Sequence, residues 1–338
     1  MTSTLLSTLA RAMFPLDGAI PELVPGIVAA IDGIAPRALA RFGFVDLTAG
    51  SCLMPLYYGA RGAGRLVVND AAERTAVAAR ALWGGVSLDW TTVERLVTTP
   101  APRLRPHVPS FHFACDYLLE PAADVFDRLY FAEVPARAAP AYRYLALLWA
   151  QGFAMDDDQK FPVLMTHDPA QIAELDGGWW DAYIARAAAP LEALAPVVAR
   201  INEAMGLQRP GSVEVHCEDL ATLVGRLALD RDCVVAVNPP TNGIDEYVVD
   251  DQIVHSLLAN RMIPLTRSRE TPAAFWEARV RAALQALPRG AHALVFGGDG
   301  AMTLNACRKV WQAYGPIVHE HPLRRRRRDA AWALVRRG

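Results

Sequence analysis

The chain lacks a CxxC pair, a long apolar run, a dominant charge and any internal repeat, and each absence excludes something. Cys52, Cys115, Cys217, Cys233 and Cys307 are odd in number and scattered, which argues against a disulfide framework or a zinc site and fits a reducing cytoplasm. No window holds eighteen uninterrupted apolar residues, so no transmembrane helix and no membrane partner are expected. The opening MTSTLLSTLARAMFPLDG has no basic start, no long apolar core and no clear cleavage site, so no signal peptide is read there. A formal net charge of −2 gives no global case for nucleic acid. The one dense basic run is Arg324 to Arg328. It reads either as a solvated loop before the last strand or as a phosphate-contacting patch, because local clusters matter more than net charge. The alanine- and arginine-rich composition reflects a GC-rich genome and not a function. The 338 residues suffice for one large domain or a domain with an insertion.

What is present falls into three blocks. In residues 1–95, IPELVPGIVAAID has helical spacing with an early proline. FGFVDLTAGS and GRLVVND read as short buried strands. AAERTAVAARALWGG reads as a helix closed by Gly84 and Gly85. Strand, turn, helix, strand, acid, helix opens a doubly wound sheet. Residues 96–210 begin with the proline-rich TTPAPRLRPHVP and continue with helical, aromatic-bearing stretches, so a mostly helical insertion is expected. Residues 211–338 return to α/β. SVEVHCEDL, DCVVAVNPP and AHALVFGGDG read as strands, TPAAFWEARVRAALQALPRG and AMTLNACRKVWQAYG as helices, and GPIVHEHPL with AAWALVRRG as a closing strand pair.

In open α/β sheets ligands bind at the carboxyl ends of strands, and four expected strands end in polar groups. Asp46 leads into the small-residue turn Thr48-Ala49-Gly50, where the backbone can approach a ligand closely. This is not a GxGxxG fingerprint. Asn69-Asp70 ends the second strand, where an acid can accept both hydroxyls of a ribose. Glu218-Asp219 ends the third, and Asn238-Pro239-Pro240 the fourth. Taken singly, Asp46, Asp70 and Asp219 also suit helix caps. Together the four ends favour a nucleoside site. The Asn-Pro-Pro corner is the most specific piece. Two prolines stiffen the turn and the residue before them is held extended. Such a corner presents the Asn oxygen and nearby carbonyls as converging acceptors. Two acceptors on one amino group hold its hydrogens and aim the nitrogen lone pair outward, which suits methyl transfer to nitrogen.

The order of Gly-turn, acid, insertion, acid and Asn-Pro-Pro resembles the adenine-specific DNA methyltransferases of the Dam type, over most of the chain. MFPLDGAIPELVPGIVAAI resembles their opening segment. FVDLTAGSCLMPLYYG resembles their methionine-binding loop, VVNDAAERTAVAARAL their second strand end and helix, VHCEDLATL the segment beside the cofactor's adenine, and VNPPT their catalytic tetrapeptide. The resemblance implies a Rossmann-like methyltransferase sheet with an inserted helical domain and S-adenosylmethionine as cofactor, with no metal. It implies cofactor contacts from Phe14, Pro15, Asp46, Thr48, Ala49, Gly50, Asn69, Asp70, Glu218 and Asp219. It also implies an amine held by Asn238 and the Pro239 carbonyl within Asn238-Pro239-Pro240-Thr241.

The departures carry information. The family's opening Lys is gone from Pro15-Leu16-Asp17-Gly18-Ala19. Cys52 stands where a second loop glycine is usual. Asp156, Asp157 and Asp158 would repel phosphate. Thr241 replaces the aromatic that stacks on an extruded base, a contact worth roughly 1–3 kcal/mol. Trp179, Trp180 and Tyr247 are candidate substitutes, and the two tryptophans equally suit core packing. Three readings follow. The first is adenine methylation in DNA. The second is methylation of a small amine, guanidine or nucleoside, which Thr241 and the acidic loop favour. The third is a degenerate cofactor-binding protein.

Overall fold

The computed structural model describes residues 2–12, 24–35, 38–99, 120–151, 177–239, 271–298, 302–325 and 328–338. Seven strands form one sheet: β1 (Gly43–Asp46), β2 (Arg65–Asn69), β3 (Val213–His216), β4 (Cys233–Val237), β5 (His292–Gly297), β6 (Ile317–Arg325) and β7 (Arg328–Arg336). Their order is β3-β2-β1-β4-β5-β7-β6. Strands β1 to β5 are parallel, and β7 runs antiparallel to both β5 and β6. The order differs from the all-parallel 3-2-1-4-5-6 arrangement by this one reversed strand.

Parallel strands covered on both faces read as continuous apolar runs, and the central strands obey this. Cys233-Val234-Val235-Ala236-Val237 is buried throughout. At the start of β1 a side chain on Gly43 would meet Cys233 Sγ at 2.6 Å, so close pairing of the two central strands requires glycine there. Alternation sends Phe44, Leu66, Val68, Val234 and Leu294 to one face. It sends Val45, Val67, Val235, Ala293 and Val295 to the other.

The first face is covered by α1 (Thr2–Ala10), α2 (Val24–Asp32), α3 (Leu53–Ala60), α4 (Glu73–Trp83) and α5 (Trp90–Thr98). The next helices are α6 (Glu120–Tyr130), α7 (Ala139–Gln151), α8 (Gly177–Ala188) and α9 (Pro190–Leu207). Phe126, Tyr144, Trp149, Ala187, Leu194 and Ile201 from these join the same core cluster as the sheet's first face. The described part of the expected insertion therefore shares a core with the sheet, and the boundary expected at 95/96 falls inside α5. The second face carries α10 (Leu220–Val224), α11 (Pro272–Ala286) and α12 (Leu304–Gln312). The last two start with side-chain caps, Thr271 accepting from the Ala274 amide and Thr303 from the Ala306 amide, both at 3.3 Å. Among the described residues, no helix is long and apolar enough to cross a membrane.

Candidate functional site

The sheet order reverses between β1 and β4, so the ligand crevice of such a fold lies outside the carboxyl ends of these two strands. Two of the expected motifs meet there. The Asn238 amide donates to Thr48 Oγ1 at 2.7 Å across 190 residues of sequence, and the Leu47 amide donates to the Ala236 carbonyl. Asn238 is exposed and Pro239 is buried, so the fully buried strand delivers an amide side chain to the surface at the switch point. Pro240 and Thr241 lie outside the described residues, as do Phe14, Pro15, Asp156 to Asp158 and Tyr247; the side chains of Trp179 and Trp180 do so too.

The loop after β1 is held on three sides. The Ala49 amide donates to the Asn69 carbonyl at 2.8 Å. The Gly50 amide donates to Asp70 Oδ2 at 2.8 Å, and Thr75 Oγ1 on α4 donates to the Gly50 carbonyl at 2.8 Å. Gly50 has φ 48° and Cys52 has φ 65°. Cys52 is the N-cap of α3 in the left-handed region, where a non-glycine residue costs about 1–2 kcal/mol. The backbone thus keeps a glycine-like conformation at the position where the resemblance expects glycine. The Cys52 side chain is wholly buried, with its thiol pushed up by burial.

The strand-end acids divide into different roles. Asp46 is buried, and its Oδ1 accepts from the Thr48 amide at 3.2 Å. Burial pushes its carboxyl up from 3.8 to about 7; the Thr48 hydrogen bond opposes this, and the nearby Asp70 charge adds to it. Asp46 is not a helix cap, because α3 is capped at Cys52. Asp70 is also not the cap of the next helix, since Ala72 holds that place. Its Oδ1 accepts from the Ala72 amide at 2.9 Å while Oδ2 holds Gly50, so it locks the first loop to the second strand. Asp219 does follow the cap reading. It accepts from the Ala221 amide at 2.9 Å as N-cap of α10 and is paired with Arg279 of α11 at 2.8 Å. The Arg279 guanidinium lies over the Phe275 ring. Glu218 is paired with Arg226.

Asn69, expected to contact the cofactor, has its side chain bonded to the backbone. It is fully buried, and its Nδ2 donates to the Leu47 carbonyl at 2.9 Å and the Glu218 carbonyl at 3.1 Å. Its Oδ1 accepts from the Glu218 amide at 3.2 Å. One side chain thus stitches the ends of β1, β2 and β3 together where the ladder stops. Both N–H groups are used, so Asn69 positions the crevice without supplying a donor to it.

Two contributors escaped the sequence reading, Thr75 and Arg279. Thr75 is a buried hydroxyl in an alanine-rich helix, and that polar outlier is the only local hint of its role. Arg279 sits 60 residues from its partner Asp219, with no local signal. Among the described residues no group of three or more His, Cys, Asp or Glu is arranged to hold a metal ion. Comparison with protein-family models and with curated proteins finds no match.

Proposed function

We propose that the protein is an S-adenosylmethionine-dependent N-methyltransferase acting on an amino nitrogen, with adenine N6 in DNA the acceptor that the resemblance implies. The observation that carries the reading is the Thr48–Asn238 hydrogen bond. It joins the loop assigned to the cofactor with the corner assigned to the amine, at the one crevice where this sheet type binds ligands. The reversed β7 separates the sheet from the all-parallel dinucleotide order. The helices within 96–210 are, on this reading, the substrate-recognition part.

The bound cofactor would supply a methyl group on a positively charged sulfonium. The donor set fits such a cation. Asp46 and Asp70 are buried carboxylates flanking the Gly50 loop, and a cation beside them offsets the cost of burying negative charge. Thr48, Ala49 and Gly50 would hold the cofactor along the loop, and Asp70 its ribose. Glu218 and Asp219 would border the adenine side, already braced by Arg226 and Arg279. The Asn238 amide oxygen and the Pro239 carbonyl would accept the two hydrogens of the amine. A proline-stiffened corner keeps these acceptors fixed, so little orientational freedom remains to be lost at reaction.

Thermal melting with S-adenosylmethionine tests the cofactor half. At a hundredfold excess over Kd, binding adds about 2.7 kcal/mol, and an unmoved Tm ends the reading. Transfer of labelled methyl to an adenine-containing duplex tests the acceptor. Thr241 favours a second reading, a small amine or nucleoside acceptor that needs no stacking surface. Label passing to free adenosine or a polyamine, and not to the duplex, would establish it.

A further inference from the structure

One acid of the crevice has a charge that its structural contacts do not use. Asp46 closes β1 and is buried but not sealed, with 7 % of its surface exposed. Its Oδ1 accepts from the Thr48 amide at 3.2 Å, and its Oδ2 accepts no hydrogen bond among the described residues. An asparagine would hold the Thr48 amide as well, with no charge to bury. The turn therefore does not account for a carboxylate. Asp70 has no such surplus, since its two oxygens accept from the Ala72 and Gly50 amides.

Asp46 also stands on the acceptor side. Register puts it beside Ala236 of β4. Strand alternation sends Ala236 and Asn238 to the same face, and a residue before proline keeps an extended backbone. At the usual strand spacing and rise, the α-carbons of Asp46 and Asn238 are about 8 Å apart, a gap that an amino group between the two side chains can bridge. Thr48 ties them together, its amide donating to Asp46 and its hydroxyl oxygen accepting from the Asn238 amide at 2.7 Å. Among the described residues, the titratable groups that act on Asp46 are Asp70, after β2, and Cys52, at the head of α3. Burial, opposed by the Thr48 hydrogen bond and aided by the Asp70 charge, pushes the Asp46 carboxyl up to about 7. A cation beside it favours the ionised form, and removal of the cation favours the protonated one.

We infer that Asp46 is the proton acceptor of the transfer, ionised while a sulfonium lies beside it and protonated at Oδ2 by the nitrogen that receives the methyl group. The nitrogen lone pair forms the N–C bond, and the C–S bond breaks with its electron pair staying on sulfur. Asp46 then faces a neutral thioether. The positive charge has moved to nitrogen, whose N–H electron pair stays behind as the proton passes to Oδ2. The carboxylate thus becomes more basic at the moment the proton must leave. This role rests on the proposed function for the cation and for the acceptor nitrogen.

S-adenosylmethionine and S-adenosylhomocysteine stand for the states before and after transfer, so proton counts on binding test Asp46 without turnover. Titration calorimetry of the full-length protein at about pH 6, in buffers of different ionisation enthalpy, gives the protons exchanged. Binding of S-adenosylmethionine should release about one proton more than binding of S-adenosylhomocysteine, and Asp46→Asn should abolish the difference. If that variant melts early, Asp46→Ser carries the same comparison. Equal counts for the two ligands, or a difference that survives in the variant, would overturn the role of Asp46 and leave the methyltransferase reading standing. Binding of neither ligand ends both.

Discussion

The two halves of the sheet's carboxyl edge treat their polar residues differently. On the β2–β3 side, Asn69 is bonded to three backbone groups, Glu218 is paired with Arg226, and Asp219 is held by a backbone amide and Arg279. That side is braced by its own side chains. On the β1–β4 side, Asp46 is buried beside a like charge, Cys52 holds a left-handed backbone, and Asn238 is delivered exposed from a buried strand. Strain and unfavourable burial collect on this side, as at functional sites generally. A polar residue at a strand end is thus a brace or a working group according to what its neighbours already satisfy.

The contrast can be broken by substitution. Asn238→Ala should cut methyl transfer by about 10²–10³-fold, the cost of losing one well-placed polar contact to the reacting group. The S-adenosylmethionine shift in Tm should be unchanged, and retained turnover would remove Asn238 from the catalytic role. Asp46 sharpens the contrast through pH. Its carboxyl is raised from 3.8 to about 7 in the fold, so between these values the unfolded chain releases the proton first. Stability therefore falls as pH rises through that window, by on the order of a few kcal/mol. Urea melts of Asp46→Asn should lose this decline. Cofactor affinity, measured by titration calorimetry, should rise with pH through about 7 in the parent and not in the variant, because a cation favours ionised Asp46.

On the braced side, Asn69→Ala should cost about 2–4 kcal/mol in urea unfolding, since it leaves the Glu218 amide and two carbonyls without their partner. A loss of activity with no loss of stability would instead make Asn69 a ligand contact. The smallest effect is at Cys52. Alanine keeps the backbone strain and glycine relieves it, so Cys52→Gly should be more stable than Cys52→Ala by about 1 kcal/mol. The reverse order, seen in thermal melts, would mean that the left-handed turn is not strained.

Much of the scaffold was legible because its signals are local. DCVVAVNPP stops as a strand at Val237, and GPIVHEHPL with AAWALVRRG forms the closing antiparallel pair. The caps Thr271 and Thr303 open helices inside the segments read as helical. The site was legible in position more than in role. Asp46, Asp70 and Asp219 look alike in sequence, each an acid before a helix. Only Asp219 became a cap, because the choice depends on Gly50, Ala72 and Arg279 arriving from elsewhere in the chain. Asn69 shows the same dependence, since its partner Glu218 is 149 residues away.

Those separations also set a timetable. Strand β1 gains its neighbour β2, which ends at Asn69, early in synthesis, but its other neighbour β4 begins at Cys233. At about 5–20 residues per second the ribosome needs roughly 10–40 s to travel from Thr48 to Asn238. Throughout that interval one side of the innermost strand is open and no crevice exists. A nascent chain halted before Asn238 has no complete site, so cofactor capture by stalled chains of increasing length would date the closure of the sheet.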